Sequence, residues 1–442
     1  MKRIITIVII LFCYYPTCFS QEPKWTFEEC VEYALEHNLD IRSKRIEIKG
    51  AKLNVKTSQQ SRLPNLGFGT TQNFQFGRTL TKENTYEDNN QANTGITFES
   101  EVPLFAGFQI KNQIEIDKLN LDISLSSLEK AEKDVTLQIA LQFLQILLEK
   151  ELGEINRKQI ELIKEQLVNT ENLANLGRIP QSYIYDVKAQ LASDEYTLIQ
   201  SSVNEKKSLL YLSQLLDLRD FQEFDIKVPL LNDIESSLLL LPSVDSIYSS
   251  ALAFFPEIKI ANQALEAGKK QLLLSKSAYY PSIAMYANYN NGYYHIYKAE
   301  NRRLKDQLKE NERIGVGLSL SMPIFNRFAT KNKVSLSKLV IEEQTLQLEN
   351  TEKELYKEIQ LAYLDAVTAI ERWKAGEKNT EALSIAFHHL EQRYNAGKAT
   401  VYEFLEGRTK LTKAQIEQSQ IRYELIFRLK ILDFYRGIEI IL

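Results

Sequence analysis

The chain has 442 residues, with 54 basic against 58 acidic side chains and a formal net charge of −4. That mildly acidic balance makes the chain a poor candidate for nucleic-acid binding, which calls for a basic stripe. Beyond residue 20 no run of eighteen apolar residues occurs, which excludes a membrane-spanning helix but not a transmembrane β-barrel, whose strands of about ten residues leave a weaker mark.

The N-terminus places Lys2 and Arg3 before an apolar segment, Ile4 to Tyr14, and Cys18-Phe19-Ser20 before Gln21. The apolar segment is too short to span a membrane, and the pattern is that of a signal peptide (residues 1–20) cleaved after Ser20. Tyr15-Pro16-Thr17 is a poor context for acylation of Cys18. Removing residues 1–20 leaves 52 basic against 58 acidic residues, a net charge of −6, and leaves Cys30 as the single cysteine. No internal disulfide then forms, so stability rests on packing and assembly.

Residues 25–61 read as helix. Thr26 with Glu29 three positions later is a capping box, Ala34, Leu35, Leu39 and Ile41 follow on one side, and a break is expected around His37-Asn38. After Pro64 the period changes to two. Leu66, Phe68, Thr70, Gln72, Phe74 and Phe76 face away from Gly67, Gly69, Thr71, Asn73 and Gln75 in a first strand. A polar loop, about residues 77–93, leads to a second strand in which Ile96, Phe98 and Val102 oppose Thr97, Glu99 and Glu101.

From Pro103-Leu104-Phe105 the chain continues for about seventy residues, with no proline and one internal glycine, Gly153, to Asn175-Leu176-Gly177. At ~1.5 Å per residue this is a helix roughly 105 Å long. It carries two apolar seams, one through Val135, Ile139 and Ile146 and a second through Leu141, Leu144 and Leu162, which lets it pack against a neighbour on each side. Gly177 suits a left-handed helix cap, and the chain returns through Leu191, Leu198 and Leu209, with Ser182 expected to cap the returning helix.

The same design recurs. Pro323, Phe325, Phe328, Lys331, Asn332, Leu339, Ile359, Leu364, Asn395, Gly397 and Leu411 repeat Pro103, Phe105, Phe108, Lys111, Asn112, Leu119, Ile139, Leu144, Asn175, Gly177 and Leu191 at an offset of 220. Two more alternating strands precede the second long helix, the first over Ile283–Asn290 and the second over Ile314–Met322, separated by a charged loop from about Gly292 to Glu312. The organisation expected is a first repeat over 21–216, a connector over 217–246 on the outside of the helical body, and a second repeat over 247–442.

A pair of hairpins on a soluble core also fits alternating strands. Here the flanking helices have no spare apolar face, and aromatic residues such as Phe74, Phe76, Tyr279, Tyr280, Tyr293 and Tyr294 gather near strand ends, which favours lipid contact. A sheet in lipid must close, and the smallest closed membrane barrels have eight strands, so a four-stranded chain is expected to share a barrel with other copies. No catalytic constellation appears: His388 and His389 are adjacent rather than three or four apart, and there is no phosphate-binding loop, zinc cysteine set or nucleophile motif.

This order of elements, with Pro103-Leu104-Phe105-Ala106-Gly107-Phe108, Pro323-Ile324-Phe325, Leu63-Pro64, Tyr280-Pro281 and the two glycine tips, resembles the TolC-like outer membrane efflux protein family over nearly the whole mature chain. The resemblance implies a mostly α fold with a transmembrane β part, internally duplicated, with four strands and long antiparallel helices per chain. It implies a homotrimer in the outer membrane bilayer whose helical tunnel stands in the periplasm. A periplasmic adaptor (membrane fusion) protein would dock on the tips and an inner-membrane pump would supply small molecules, metals or polypeptides, with no cofactor.

By the same resemblance Glu403 and Glu406 take the place of gate carboxylates, Tyr394 that of a tyrosine holding the closed tip, and Leu176, Gly177, Arg178, Ala396, Gly397 and Lys398 that of adaptor contacts. Pro103, Phe105, Pro323 and Phe325 would mark the barrel-to-helix junctions. Ala399 and Tyr183 stand where well-known members carry an arginine and an aspartate, so that latch is absent, and Arg178, Lys398 and Arg393 are the cations at hand. A passive porin has no use for such helices; a periplasmic adaptor-like helical-hairpin protein is the alternative, but it would have one hairpin and different β segments.

Overall fold

Two sets of lengths repeat in the computed structural model, which describes residues 24–219, 224–229 and 241–442. In chain order the elements are α1 (Phe27–His37), α2 (Leu39–Gln60), β1 (Gly67–Gln75), β2 (Arg78–Leu80), β3 (Tyr86–Asp88), β4 (Gln91–Ala106), α3 (Gln109–Asn175), α4 (Ser182–Leu215), α5 (Val244–Phe254), α6 (Pro256–Ser277), β5 (Ser282–Ile296), α7 (Leu304–Glu310), β6 (Arg313–Ser321), α8 (Ala329–Asn395) and α9 (Val401–Arg436). Helices α3 and α8 are both 67 residues long, and each boundary of α8 lies 220 positions after that of α3. Helices α5 and α6 reproduce the 11 and 22 residues of α1 and α2 at an offset of 217. The expected signal peptide lies outside the described residues, as do 220–223 and 230–240 of the connector.

The chain folds as two compact units. One holds residues up to 42, 131–253 and 355–442, and is helical. Thr26 caps α1 through the expected box with Glu29, and Asn38 breaks the helix as foreseen: its Oδ1 accepts from the amides of Asp40 and Ile41, while its Nδ2 donates to the Leu215 carbonyl at 3.0 Å. In α3 the first seam is covered, with Val135, Ile139, Phe143 and Ile146 buried and Phe143 edge-on to Phe27, whereas Leu141 and Leu162 of the second seam are exposed. Leu144 of that second seam is buried, so the seam is covered in part and its exposed positions still have a neighbour to find. The described part of the connector lies on this unit. Trp25 and Ile226 form a parallel bridge, and Lys150 Nζ reaches Asp225 at 2.6 Å and Glu205 at 3.2 Å.

The other unit holds 43–130 and 254–354 and contains both sheets. The larger is antiparallel in the order β1-β4-β5-β6, which leaves β1 and β6 as free edges; β2 and β3 form a separate small hairpin where only a loop was expected. The strand expected to end near Asn290 runs on to Ile296, past the end of β6. Side-chain amides of the following loop replace the missing strand. Gln307 accepts from Tyr294 N and donates to Tyr294 O, both at 2.9 Å, Asn301 does the same for Ile296, and Asn311 donates to the Gly292 carbonyl. Backbone groups that would otherwise sit at an open edge are thereby paired.

Candidate functional site

The alternation seen in the strands becomes two chemically distinct faces. Directly paired positions place Phe68 beside Phe98, Phe98 beside Tyr289, Tyr289 beside Ile314 and Met285 beside Leu318 on one face. Nothing among the described residues covers it: Ile314, Val316, Leu318 and Leu320 are 67–73% exposed. Four consecutive outward side chains of one strand left in this state form an apolar band that water does not tolerate on a solvated sheet. The other face carries Glu99, Glu101, Tyr286, Asn288, Ser319 and several glycines.

The junction residues sit where the sheet gives way to the long helices. Pro103 and Phe105 were expected to end the strand. Instead β4 continues to Ala106 through a register shift between them that leaves Leu104 without a partner on β5. A bulge of this kind bends the strand and tolerates proline. The chain then turns through Gly107 (φ 57°) and Phe108 (φ 67°), and Phe105 meets Phe108 edge-on. Glycine is required there, since a Cβ would lie 2.6 Å from the Ser277 carbonyl oxygen. In the second copy Pro323 and Phe325 lie beyond β6, whose last residue is Ser321, and Arg327 (φ 55°) and Phe328 (φ 60°) make the same turn without glycine. Phe325 again meets Phe328 edge-on, and Ile324 is 97% exposed.

The tips lie in the helical unit and end both long helices identically. Gly177 and Gly397 have φ 69°; Arg178 N donates to Leu173 O and Gly177 N to Ala174 O, as Lys398 N does to Arg393 O and Gly397 N to Tyr394 O. These are paired Schellman caps, which satisfy the last carbonyls and fix the turn. Leu176, Gly177, Arg178, Ala396, Gly397 and Lys398 are all exposed. Arg393 is spent on the second cap, donating from Nη2 to Lys398 O at 3.3 Å.

Past the tips the copies diverge. Ser182 is not a cap: it is the first residue of α4, and the preceding Gln181 has helical φ/ψ and makes no side-chain cap bond. Thr400 caps α9 with a full box, its amide donating to Glu403 Oε2 at 2.7 Å and its Oγ1 accepting from Glu403 N at 3.2 Å. The amide and hydroxyl of Thr400, with Arg393 nearby, hold the Glu403 carboxyl below the usual carboxylate range. Glu406 pairs with Lys410 Nζ at 2.8 Å one turn on. Both glutamates are exposed, so the site places two carboxylates three residues apart on the outer side of α9.

Tyr394 is buried, ring to ring with Phe404 at 4.8 Å, and its hydroxyl accepts from Gln166 Nε2 at 2.5 Å. Ile163, Val187, Val401 and Phe404 complete this cluster, and Tyr183 and Ala399 pack against it, so the two positions that depart from the family pattern are apolar packing residues.

The sequence reading missed Arg408. Its side chain is 4% exposed; Nη2 meets Asp194 Oδ2 at 2.5 Å and Nη1 donates to the Gln159 carbonyl at 3.2 Å, tying α9 to α4 and α3. The signal was present, because Val401, Phe404, Arg408 and Leu411 follow the three-and-four spacing of an inward seam with a charge in its middle.

The model of the family described as outer membrane efflux protein matches residues 30–217 and again 247–434, one match for each half. Among solved structures, CusC superposes with a TM-score of 0.78 at 14% identity, covering 93% of this chain and 92% of that one. VceC of Vibrio cholerae gives 0.76 at 16% identity, covering 93% and 96%. The CmeC outer membrane channel of Campylobacter jejuni gives 0.75 at 17%, covering 93% and 85%. No curated protein matches the sequence significantly. The doubled match, the two-faced sheet and the twin 67-residue helices agree, and the chain belongs to the outer membrane efflux protein family, whose work is transport through an outer membrane channel rather than catalysis.

Proposed function

We propose that three copies of this chain form the exit duct of a tripartite efflux or secretion machine. The observation that carries this reading is a four-stranded sheet with two free edges and an uncovered apolar face. In lipid, unpaired backbone at an open edge costs several kcal/mol per group, so β6 of one copy must pair with β1 of the next until the ring closes. Two copies supply the minimum of about eight strands and three supply twelve. Exposed apolar side chains beside the edges favour such a ring: Ile46 and Leu53 on the helix before β1, and Leu336, Leu339 and Leu346 on the helix after β6. The interface is heterologous, and closes by rotation.

In this reading residues 1–20 direct export, 21–216 and 247–442 are the two repeats, and 217–246 runs over the outside. The tip residues meet a periplasmic adaptor protein, an inner-membrane pump drives transport, and Glu403 and Glu406 ring the periplasmic aperture. Small molecules, metals and polypeptides are all cargo that such a duct passes. The test is membrane fractionation followed by gel electrophoresis without boiling. An outer-membrane trimer is expected; a soluble periplasmic monomer overturns the reading and favours an adaptor-like protein. Crosslinks from residues 178 and 398 to a co-expressed adaptor test the docking assignment.

A further inference from the structure

The glycines of the large sheet all lie on its polar face, and side chains of the neighbouring strands lie close across four of them, Gly67, Gly95, Gly315 and Gly317. Tyr286 is paired directly with Gly317, Asn288 with Gly315, Glu99 with Gly67 and Thr71 with Gly95. A Cβ built on Gly317 would lie 2.5 Å from Tyr286 Oη and 2.6 Å from its Cζ. One on Gly315 would lie 2.5 Å from Asn288 Oδ1, and one on Gly95 2.7 Å from Thr71 Oγ1. Glu99 is the looser case, its Cγ 3.2 Å from the Cβ position of Gly67. The interleaved positions of β6 on the apolar face are Ile314, Val316, Leu318 and Leu320, with no glycine. Glycine weakens a strand and is retained where another group must approach the backbone closely. Here the approaching group is a side chain lying flat against the sheet.

We propose that these glycines are seats that hold lumen-facing side chains against the wall, and that the Tyr286–Gly317 pair sets the bore of the membrane-embedded section and the size of solute it admits. The proposal rests on the reading that the polar face lines the duct. A side chain at position 317 evicts the phenol, and a rotation about χ1 is the available escape, since the opposing group is the far end of a flexible side chain rather than backbone. Tyr286 then stands off the wall by the length of a tyrosine side chain in every copy of the ring. Because the collision is relieved by rotation, the substitution leaves strand pairing intact, and the narrowing is separable from misfolding.

The experiment reconstitutes the full-length protein in planar bilayers and measures single-channel current with polyethylene glycols of graded size added on the side of the strand-connecting loops. Tyr286 lies four residues from the helical end of β5, so polymer entering from the loop side reports the narrowest section down to that level even where a narrower one lies deeper. Gly317→Val is expected to shift the exclusion limit to shorter polymers, Gly317→Ala to shift it in the same direction, and Gly317→Val with Tyr286→Ala to restore the wild-type limit or exceed it. Recovery of the unboiled oligomer band in each variant shows that assembly is preserved. An unchanged limit in Gly317→Val, or a narrowing that persists after Tyr286→Ala, overturns the seat assignment while leaving the duct standing. Wild-type protein that forms no channel at all refutes the duct itself.

Discussion

Replacing Asp194 by asparagine tests what Arg408 does. The substitution keeps the shape of the side chain and removes the countercharge of a guanidinium that is almost wholly buried and whose Nε already lacks a partner. Removing one partner of a buried pair costs about 3–5 kcal/mol, because the remaining charge is left desolvated. Asp194 keeps 16% of its side chain in contact with solvent, so the lower end applies, about 3 kcal/mol. That corresponds to an increase on the order of a hundredfold in local opening of the segment that the pair restrains. Hydrogen exchange by mass spectrometry on the detergent-solubilised oligomer, read over residues 400–411, measures it directly. Arg408→Met is expected to behave differently. It removes the buried charge, fills similar volume and leaves Asp194 hydrogen-bonded by Gln190 at 2.8 Å, so exchange should change little. Equal exchange in wild type and Asp194→Asn, or a larger loss in Arg408→Met than in Asp194→Asn, would refute the argument that the cost lies in stranding the buried guanidinium without its countercharge.

Thr400→Ala should cost about 1 kcal/mol by removing a helix cap, whereas Ser182→Ala should stay within about 0.5 kcal/mol, since Ser182 caps nothing; thermal melts of the two variants separate the cases. The depressed Glu403 carboxyl makes its contribution above the ordinary carboxylate range and loses it as pH falls through the lowered folded value, so acid should destabilise wild type more than Glu403→Gln in a melt series. Neutralising both Glu403 and Glu406 to glutamine is expected to weaken divalent-cation block of single-channel current, and unchanged block would remove them from the aperture. Leu318→Arg, on the uncovered apolar face, should cost about 2–4 kcal/mol near the bilayer midplane and lower the yield of membrane-inserted oligomer, while Ser319→Arg on the opposite face should assemble. Burial, with Glu29 and Glu28 nearby, pushes the Cys30 thiol up to about 12, so iodoacetamide at neutral pH should label it only after unfolding.

The large features were legible because each rests on a local rule. Helix lengths follow from uninterrupted stretches between punctuation, which is why Asn175-Leu176-Gly177 and Asn395-Ala396-Gly397 marked the ends of α3 and α8 correctly. Face assignment follows from period two, and the register of β5 against β6 sets Ile283, Met285, Ala287 and Tyr289 opposite Leu320, Leu318, Val316 and Ile314. Less legible was anything decided by a partner distant in sequence. The extension of β5 to Ile296 depends on amides from Asn301, Gln307 and Asn311, polar loop residues whose composition gives no hint of strand mimicry. The continuation of β4 past Pro103 depends on β5 being there to pair with Phe105 and Ala106. The role of Arg408 depends on Asp194, more than two hundred positions away, although its place in an apolar seam was visible.

Duplication preserved geometry here and released chemistry. The long helices, their preceding turns and their Schellman caps coincide at an offset of 220, so the backbone solution was kept twice. At that same offset Glu403 corresponds to Tyr183 in the first copy, Glu406 to Asp186, and Arg408 to Lys188, which is exposed and bonded to Glu171 rather than buried. The first returning helix therefore begins without a side-chain cap, and the second begins with a capping box and, two turns later, a buried guanidinium whose partner Asp194 lies on the first. The difference in helix initiation favours the second tip, since α9 satisfies first-turn amides from its own side chains, whereas in α4 the amides of Tyr183 and Ile184 rest on the backbone carbonyls of Pro180 and Gln181. A pair of antiparallel hairpins built this way is expected to fray first at residues 178–183, with faster hydrogen exchange there than over residues 398–403 as the check, while the Gln166–Tyr394 and Asp194–Arg408 bonds join the two hairpins further in.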